Sequence, residues 1–179
     1  MTPSVLEVVL LAFVLTSALG AALLKDTLAA VMAFAAYSLG ISIIWVLLQA
    51  PDVGLTEAAV GAGVMTILLL IALANTVRPS EDQLFERVRP RTVLAVGAFV
   101  LVMGATVPAL PAVGATDSPV GSGEVTDYYL ENAYEETEVH NAVTAVLAAY
   151  RGFDTLGEAV VVFVAGVATL TVLRTEAFA

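Results

Sequence analysis

Long apolar runs make up most of the chain, and short polar stretches separate them. A membrane-spanning helix needs about 20 mainly apolar residues, and five runs reach that length. None of them alternates like the strands of a membrane barrel, so the pattern predicts an all-α integral membrane protein with five transmembrane helices. The predicted spans are Val5–Leu24, Leu28–Gln49, Leu55–Asn75, Thr92–Leu110 and Thr155–Leu173.

The positive charges predict how these spans are oriented. Lysine and arginine mark the cytoplasmic side, and the segment between the third and fourth spans carries four arginines. If this segment is inside, Lys25 and Arg174 are inside too, so six of the seven basic residues agree. We therefore predict that the N-terminus lies outside and the C-terminus inside. Arg151 is the one basic residue that does not agree, because it falls on the outer side of the last span. The four arginines are Arg78, Arg87, Arg89 and Arg91.

Composition limits the classes of function that we expect for the chain. The chain is 59% hydrophobic and 13% charged, as expected of a multi-pass protein of the cell membrane. Its net charge of −10 makes nucleic acid an unsuitable partner and is typical of a salt-adapted organism. With no cysteine, a single histidine and no phosphate-binding loop, it carries no enzyme motif and no cofactor site that we recognise. We expect ion handling or assembly, not catalysis.

An acidic stretch, residues 111–139, is predicted outside. Its first half is rich in Pro, Gly and Ser and predicts a loop. Its second half predicts a short outer surface helix that carries Tyr128, Tyr129 and Tyr134, whose rings suit a membrane interface. Two interpretations stay open: a solvated negative surface, or a funnel that concentrates cations.

Glu57 is the first residue with candidate chemistry. A carboxylate inside a span usually marks an ion or proton path. Counted from Leu55, however, Glu57 lies in the first turn, where it also complements the helix dipole. Gly61 shares its face, and Gly61 and Gly63 allow a neighbouring helix or a file of water to come close. Both explanations remain open from position alone.

A second cluster, "YRGFDTLGEAVV", precedes the last span. Thr155 and Glu158 have the spacing of a capping box, and Asp154 is also a good N-cap, so helix initiation explains part of the cluster. Arg151 remains unexplained. Paired with Asp154 or Glu158, it would lower the energy of charges at the membrane border and gate an ion.

The segment "VHNAVTAVLAAY" is too short to span, so we predict a surface-lying or partly inserted helix before the last span. His140 lies in this segment, and histidine is the side chain type suited to proton transfer near neutral pH. It is either a proton relay or part of an amphipathic surface.

The sequence also resembles a known family. "APDVGLTEAAVGAG" and "HNAVTAVLAAYRGFDTLGE" are similar to the signatures of two small membrane modules that occur together in Mrp-type multisubunit Na⁺/H⁺ antiporters and in related membrane-bound hydrogenase complexes. The resemblance implies a three-helix module over residues 1–78, a cytoplasmic loop over 79–91 and a two-helix module over 92–179. The third span also resembles the third helix of the complex I subunit J family, which implies a π-bulge near Gly61–Met65.

The resemblance implies an accessory subunit, because the chain lacks the broken helices with central Lys and Glu of the large proton-pumping subunits. Expected partners are those large subunits, other small subunits and membrane lipid, and the transported ion is Na⁺ or H⁺. The alternatives are the same module in a hydrogenase or respiratory complex, or a structural adaptor whose acids only cap helices. On the leading interpretation, one set of residues lines the ion path and a second stands near its outer mouth. The first set is Asp52, Thr56 and Glu57; the second is His140, Arg151, Asp154 and Glu158.

Overall fold

The computed structural model describes residues 4–76, 83–118 and 121–176. A π-helix, Ala58–Met65, lies within the helix Pro51–Ala74. A second π-helix, Val146–Tyr150, follows the short helix Ala142–Ala145. A 3₁₀ turn, Val107–Ala109, directly follows the helix Pro90–Thr106. The helices are α1 Val5–Leu23, α2 Thr27–Leu47, α3 Pro51–Ala74, α4 Pro90–Thr106, α5 Glu124–Thr137, α6 Ala142–Ala145 and α7 Gly152–Glu176.

Five helices among the described residues are long and apolar enough to cross a membrane. They are α1, α2, α3, α4 with its 3₁₀ turn, and α7. This confirms the predicted all-helical fold with five spans. The chain is a multi-pass membrane protein.

The predicted start of the third span was wrong. The helix begins at Pro51, not at Leu55, so the four residues before the predicted start are already helical. Proline suits the first helical position because its missing N–H would have no partner there, and Asp52 in the first turn complements the dipole. Glu57 therefore lies six residues into α3, about 9 Å along it at 1.5 Å per residue.

The predicted start of the last span was also wrong, because α7 begins at Gly152. The Arg151 amide closes the preceding π-helix by donating to the Val146 carbonyl at 2.8 Å, so the next helix starts at once. The capping box is therefore not formed. The Thr155 hydroxyl instead donates to the Leu147 carbonyl at 2.8 Å.

The chain divides into two compact units, Met1–Val100 and Leu101–Ala179. In the first, α2 packs against both α1 and α3. Gly40 makes the contact with α1 possible, because a Cβ there would lie 2.7 Å from Val14 Cγ2 and 3.0 Å from Phe13 Cδ1. The central position of α2 brings its small polar residues against α3.

The connection between α1 and α2 pairs with the segment before α4. The Lys25 amide donates to the Leu84 carbonyl at 3.1 Å, and the Glu86 amide donates to the Leu23 carbonyl at 2.8 Å. These bonds place Lys25 beside the segment that carries Arg87, Arg89 and Arg91, while Arg78 lies outside the described residues.

In the second unit, α5 packs against α6, and Ala133 and Ala145 are buried. The α5 helix ends at Glu138, whose φ of 57° is left-handed. The Asn141 side chain then caps α6 by accepting from the Thr144 amide at 2.9 Å. A helix carrying the three tyrosines is therefore present, as the sequence predicted.

Candidate functional site

Glu57 of α3 is oriented towards α2, and the geometry around Gly61 shows this. A Cβ at Gly61 would lie 2.5 Å from Ser38 Oγ and 2.7 Å from Glu57 Oε1. The hydroxyl of α2 and the carboxylate of α3 therefore both border the space that glycine leaves free. We call this group, Ser38, Glu57 and Gly61, the Glu57 groove.

The Glu57 groove lies within the packing of the three-helix unit. Ser38 is 1% exposed, Gly61 is buried, and Glu57 is half-buried. Glu57 is also beyond the first turn of α3, and helix-dipole effects fall off within that turn. The dipole alone therefore does not explain a carboxylate at this position.

The π-helix of α3 includes Gly61 and Gly63, where the resemblance led us to expect a bulge. Buried hydroxyls bind one backbone carbonyl within it and one in the α-helical turns before it. Thr66 Oγ1 donates to the Gly61 carbonyl at 3.0 Å, and Ser42 Oγ donates to the Gly54 carbonyl at 2.6 Å. The first bond stabilises the irregular backbone of the π-helix and the second joins α2 to α3, and both hydroxyl-bearing residues are buried.

Asp52 and Thr56 lie nearer the start of α3. Asp52 is half-buried, whereas Thr56 is exposed and donates its hydroxyl to the Asp52 carbonyl at 2.9 Å. The two residues thus share one face of the first turns.

In the second unit, Arg151 pairs with Asp154. Arg151 Nε and Nη2 each lie 2.6 Å from Asp154 Oδ2. The two side chains are 67% and 57% exposed, so the pair contributes little to stability. Glu158 lies one turn further along α7 and is exposed.

His140 stacks on Tyr134. The ring centroids are 4.3 Å apart and the rings are 15° from parallel. His140 lies between α5 and α6 and is exposed.

A second acidic arrangement joins α5 to the π-helix before α7. Glu136 Oε2 accepts from the Tyr150 hydroxyl at 2.5 Å, and Glu136 Oε1 accepts from the Tyr128 hydroxyl at 2.7 Å. The Tyr129 ring also packs against Tyr150, with centroids 4.8 Å apart. We call Tyr128, Glu136 and Tyr150 the Glu136 clamp.

The Glu136 clamp shifts the titration of its members. Hydrogen bonds from Tyr150 and then Tyr128 lower the pKa of Glu136 below its ordinary value. The bond to Glu136 raises the pKa of Tyr150 to about 12, and it raises the pKa of Tyr128 as well. The clamp is therefore strongest while Glu136 is ionised and both phenols are neutral.

Sequence reasoning missed Ser38, Ser42 and the Glu136 clamp. The serines lie four residues apart in "YSLGIS", a polar pair within an apolar span that indicates one shared helix face. Glu136 and Tyr150 are fourteen positions apart and in different elements, so no local pattern connects them.

Comparison with known proteins covers both units. Residues 12–78 match the MbhD family and residues 89–177 match the MbhE family, each described as a subunit of MBH. The chain is also 27% identical over 173 residues to Na⁺/H⁺ antiporter subunit A1 from Staphylococcus aureus strains JH9 and Newman. These alignments cover 95% of this chain and 20% of the relatives, so the chain spans about a fifth of their length.

The two family matches together account for most of the chain. They meet between residues 78 and 89, within the connection that separates the third and fourth spans. The chain therefore combines a module of the MbhD family with a module of the MbhE family.

Proposed function

We propose that the chain is an accessory membrane subunit of a multisubunit monovalent cation/proton antiporter and that it contributes Glu57 to an ion or proton path. The relatives named Na⁺/H⁺ antiporter subunit A1 support the antiporter assignment. The transported ion is Na⁺ or H⁺, and the chain itself holds no cofactor.

One observation carries the role of Glu57. Its carboxylate shares the space above Gly61 with a buried hydroxyl of α2, six residues into a membrane-spanning helix. A carboxylate is unfavourable in a span unless it faces a bundle interior or a polar cavity, and such residues mark ion and proton pathways.

The other candidate residues have supporting roles in this proposal. Asp52 and Thr56 line the path before Glu57 on α3. Arg151, Asp154 and Glu158 stand near an outer mouth, where the acidic stretch attracts cations. His140 relays protons at the same side. The π-helix supplies a segment of α3 that switches between α and π hydrogen bonding as the path opens and closes.

The proposed topology places the N-terminus outside, the C-terminus inside and α5 on the outer surface. The backbone bonds of Lys25 with Leu84 and of Glu86 with Leu23 support one positive cytoplasmic side, because they join the α1–α2 connection to the arginine-bearing segment. The side chains of α4 and the described side chains of α7 are almost all exposed, and they suit contact with lipid and with partner antiporter subunits, both large and small.

A hydrogenase or respiratory complex is the second candidate host, and the MBH matches favour it. Purifying the intact complex and identifying its subunits by mass spectrometry separates the two. Co-purifying antiporter subunits without redox subunits support the first proposal. Co-purifying hydrogenase subunits support the second.

The test of the path is Glu57→Gln in the assembled complex. We expect cation-driven proton exchange in inverted vesicles to be lost, because the amide does not carry a proton or a negative charge at this position. Glu7→Gln is the matched control, since Glu7 is a carboxylate in another span that only accepts from the Ser4 amide at 2.6 Å. Normal exchange by an assembled Glu57→Gln complex would reject the path and favour a structural adaptor.

A further inference from the structure

We propose that the Ser38 hydroxyl forms a hydrogen bond to Glu57 during transport, in both charge states of that carboxyl group, and is so a positioning residue of the path. The inference rests on the function proposed for Glu57. No feature of the sequence had singled out Ser38. Its place opposite Gly61 comes from the packing of α2 on α3.

Burial makes the Ser38 hydroxyl unusual. The residue is 1% exposed, and its Oγ has no hydrogen-bond partner among the residues that the structure describes. A buried hydroxyl without a partner is unfavourable, so native structures rarely retain one without a reason.

Other hydroxyls in the same spans show the expected arrangement. Ser42, one turn further along α2, donates to the Gly54 carbonyl at 2.6 Å. Thr16 of α1 bonds back to the Ala12 carbonyl of its own helix at 2.9 Å. Ser38 does neither. Its oxygen instead points to the place above Gly61 where Glu57 Oε1 also lies.

The chemistry of a hydroxyl explains why serine suits this position. A serine hydroxyl has one donor and two acceptor lone pairs, and it rotates freely. It donates to the ionised carboxylate and accepts from the protonated acid, so rotation about one bond serves both states. An amine or an amide N–H would favour the ionised form only. A carboxyl group that alternately holds and releases a proton or a cation needs a partner that serves both states.

The absence of a side chain at position 61 is part of the same arrangement. Any Cβ there would come within 2.7 Å of both oxygens and would separate them. Gly61 therefore keeps Ser38 and Glu57 in reach of each other.

The experiment compares Ser38→Ala, Ser42→Ala and Glu57→Gln in the complex purified with its partner subunits. In the arrangement that the structure describes, Ser38→Ala removes a hydroxyl that makes no hydrogen bond, so we expect the melting temperature of the complex to stay unchanged or rise. We expect cation-driven proton exchange to fall about tenfold, as when a charged hydrogen bond is lost. Ser42→Ala breaks a formed bond and is expected to lower the melting temperature.

A spectroscopic readout separates positioning from packing. Infrared difference spectra between low and high pH contain the carbonyl band of protonated Glu57, identified by its loss in Glu57→Gln. We expect this band to shift in Ser38→Ala and to stay in place in Ser42→Ala. An unshifted band and normal exchange in Ser38→Ala, with exchange lost in Glu57→Gln, would overturn the role of Ser38 alone. Normal exchange in Glu57→Gln would overturn the path as well.

Discussion

The Thr66 hydroxyl donates a hydrogen bond of 3.0 Å to the carbonyl oxygen of Gly61, five residues earlier in α3. Thr66 is 7% exposed, and its own amide donates to the Gly63 carbonyl. The side chain thus supports the backbone at the point where the π-helix returns to α-helix.

Thr66→Val tests this support, because valine keeps the branched shape and removes the hydroxyl. We expect the free energy of unfolding to fall by about 1–3 kcal/mol, since the Gly61 carbonyl loses a buried hydrogen-bond donor. Thermal unfolding of the purified complex measures it. Thr66→Ser keeps the hydroxyl, so its stability is expected to remain closer to that of the original protein. Equal losses of stability in Thr66→Val and Thr66→Ser would contradict the hydrogen-bond explanation.

Gly61→Ala tests the Glu57 groove. The new methyl group would lie 2.5 Å from Ser38 Oγ and 2.7 Å from Glu57 Oε1, so one of them must move. We expect exchange in vesicles to fall strongly. Gly63→Ala is the control within the same π-helix, because its methyl group would meet only the Ala58 carbonyl at 3.4 Å. Similar exchange by the two variants would show that the groove does not depend on close approach at Gly61.

Gly54→Ala tests the packing of α2 on α3. A Cβ there would lie 2.8 Å from the backbone oxygen of Ser42 and 2.9 Å from Val46 Cγ2, and the backbone cannot give way easily. We expect the complex to lose about 1–3 kcal/mol of stability, as in overpacked cores. Gly97→Ala is the control, since among the described residues no atom beyond its own stretch of helix lies within 4 Å of its added methyl group. A thermal shift assay compares the two, and equal melting temperatures would reject the predicted clash.

The Glu136 clamp makes a prediction about pH. The pKa of Glu136 is lowered, so its contribution to stability is present above its ordinary value of 4.5 and is lost as the pH falls through the lowered value. The pKa of Tyr150 is raised to about 12, so its contribution is present below the ordinary 10.0 and is lost as the pH rises through about 12. The clamp therefore holds across neutral pH.

Tyrosinate absorbance during an alkaline titration checks this. We expect a component near pH 12 that disappears in Tyr150→Phe. Glu136→Gln is expected to move that component down towards 10.0, because a neutral amide oxygen favours the protonated phenol less than a carboxylate does. Glu135→Gln removes the same charge from the neighbouring position and is expected to leave the component in place. A shift of equal size in both variants would indicate net charge, not the hydrogen bond.

The sequence predicted the spans well because lipid imposes a simple rule on length and polarity. It failed at the start of α3, where "APDVG" has the composition of a turn. A proline at the first position and an acid in the first turn begin a helix equally well. Whether this segment forms a turn or a helix depends on how α3 packs against α2. Gly54 is already helical, and its carbonyl accepts a hydrogen bond from the Ser42 hydroxyl of α2.

The candidate site was predictable in part. Glu57 is recognisable because a carboxylate in an apolar run is rare. Ser38 is not, since serine is common in membrane helices and only the packing of two helices decides which serine is buried opposite a glycine. The Glu136 clamp depends on a contact between separate elements, and the π-helix at Val146–Tyr150 has no composition that distinguishes it from an α-helix.

The topology is testable because the chain contains no cysteine, so each introduced cysteine is the only target for labelling. We propose Gln83→Cys, in the arginine-bearing segment, and Ser122→Cys, before α5; both positions are exposed. If positive charge keeps the first segment in the cytoplasm, a membrane-impermeant maleimide added to intact cells labels Ser122→Cys at once and labels Gln83→Cys only after permeabilisation. Full exchange activity of both variants is the control for correct insertion. Labelling of Gln83→Cys in intact cells, with protection of Ser122→Cys, would reverse the proposed orientation and place the acidic helix in the cytoplasm.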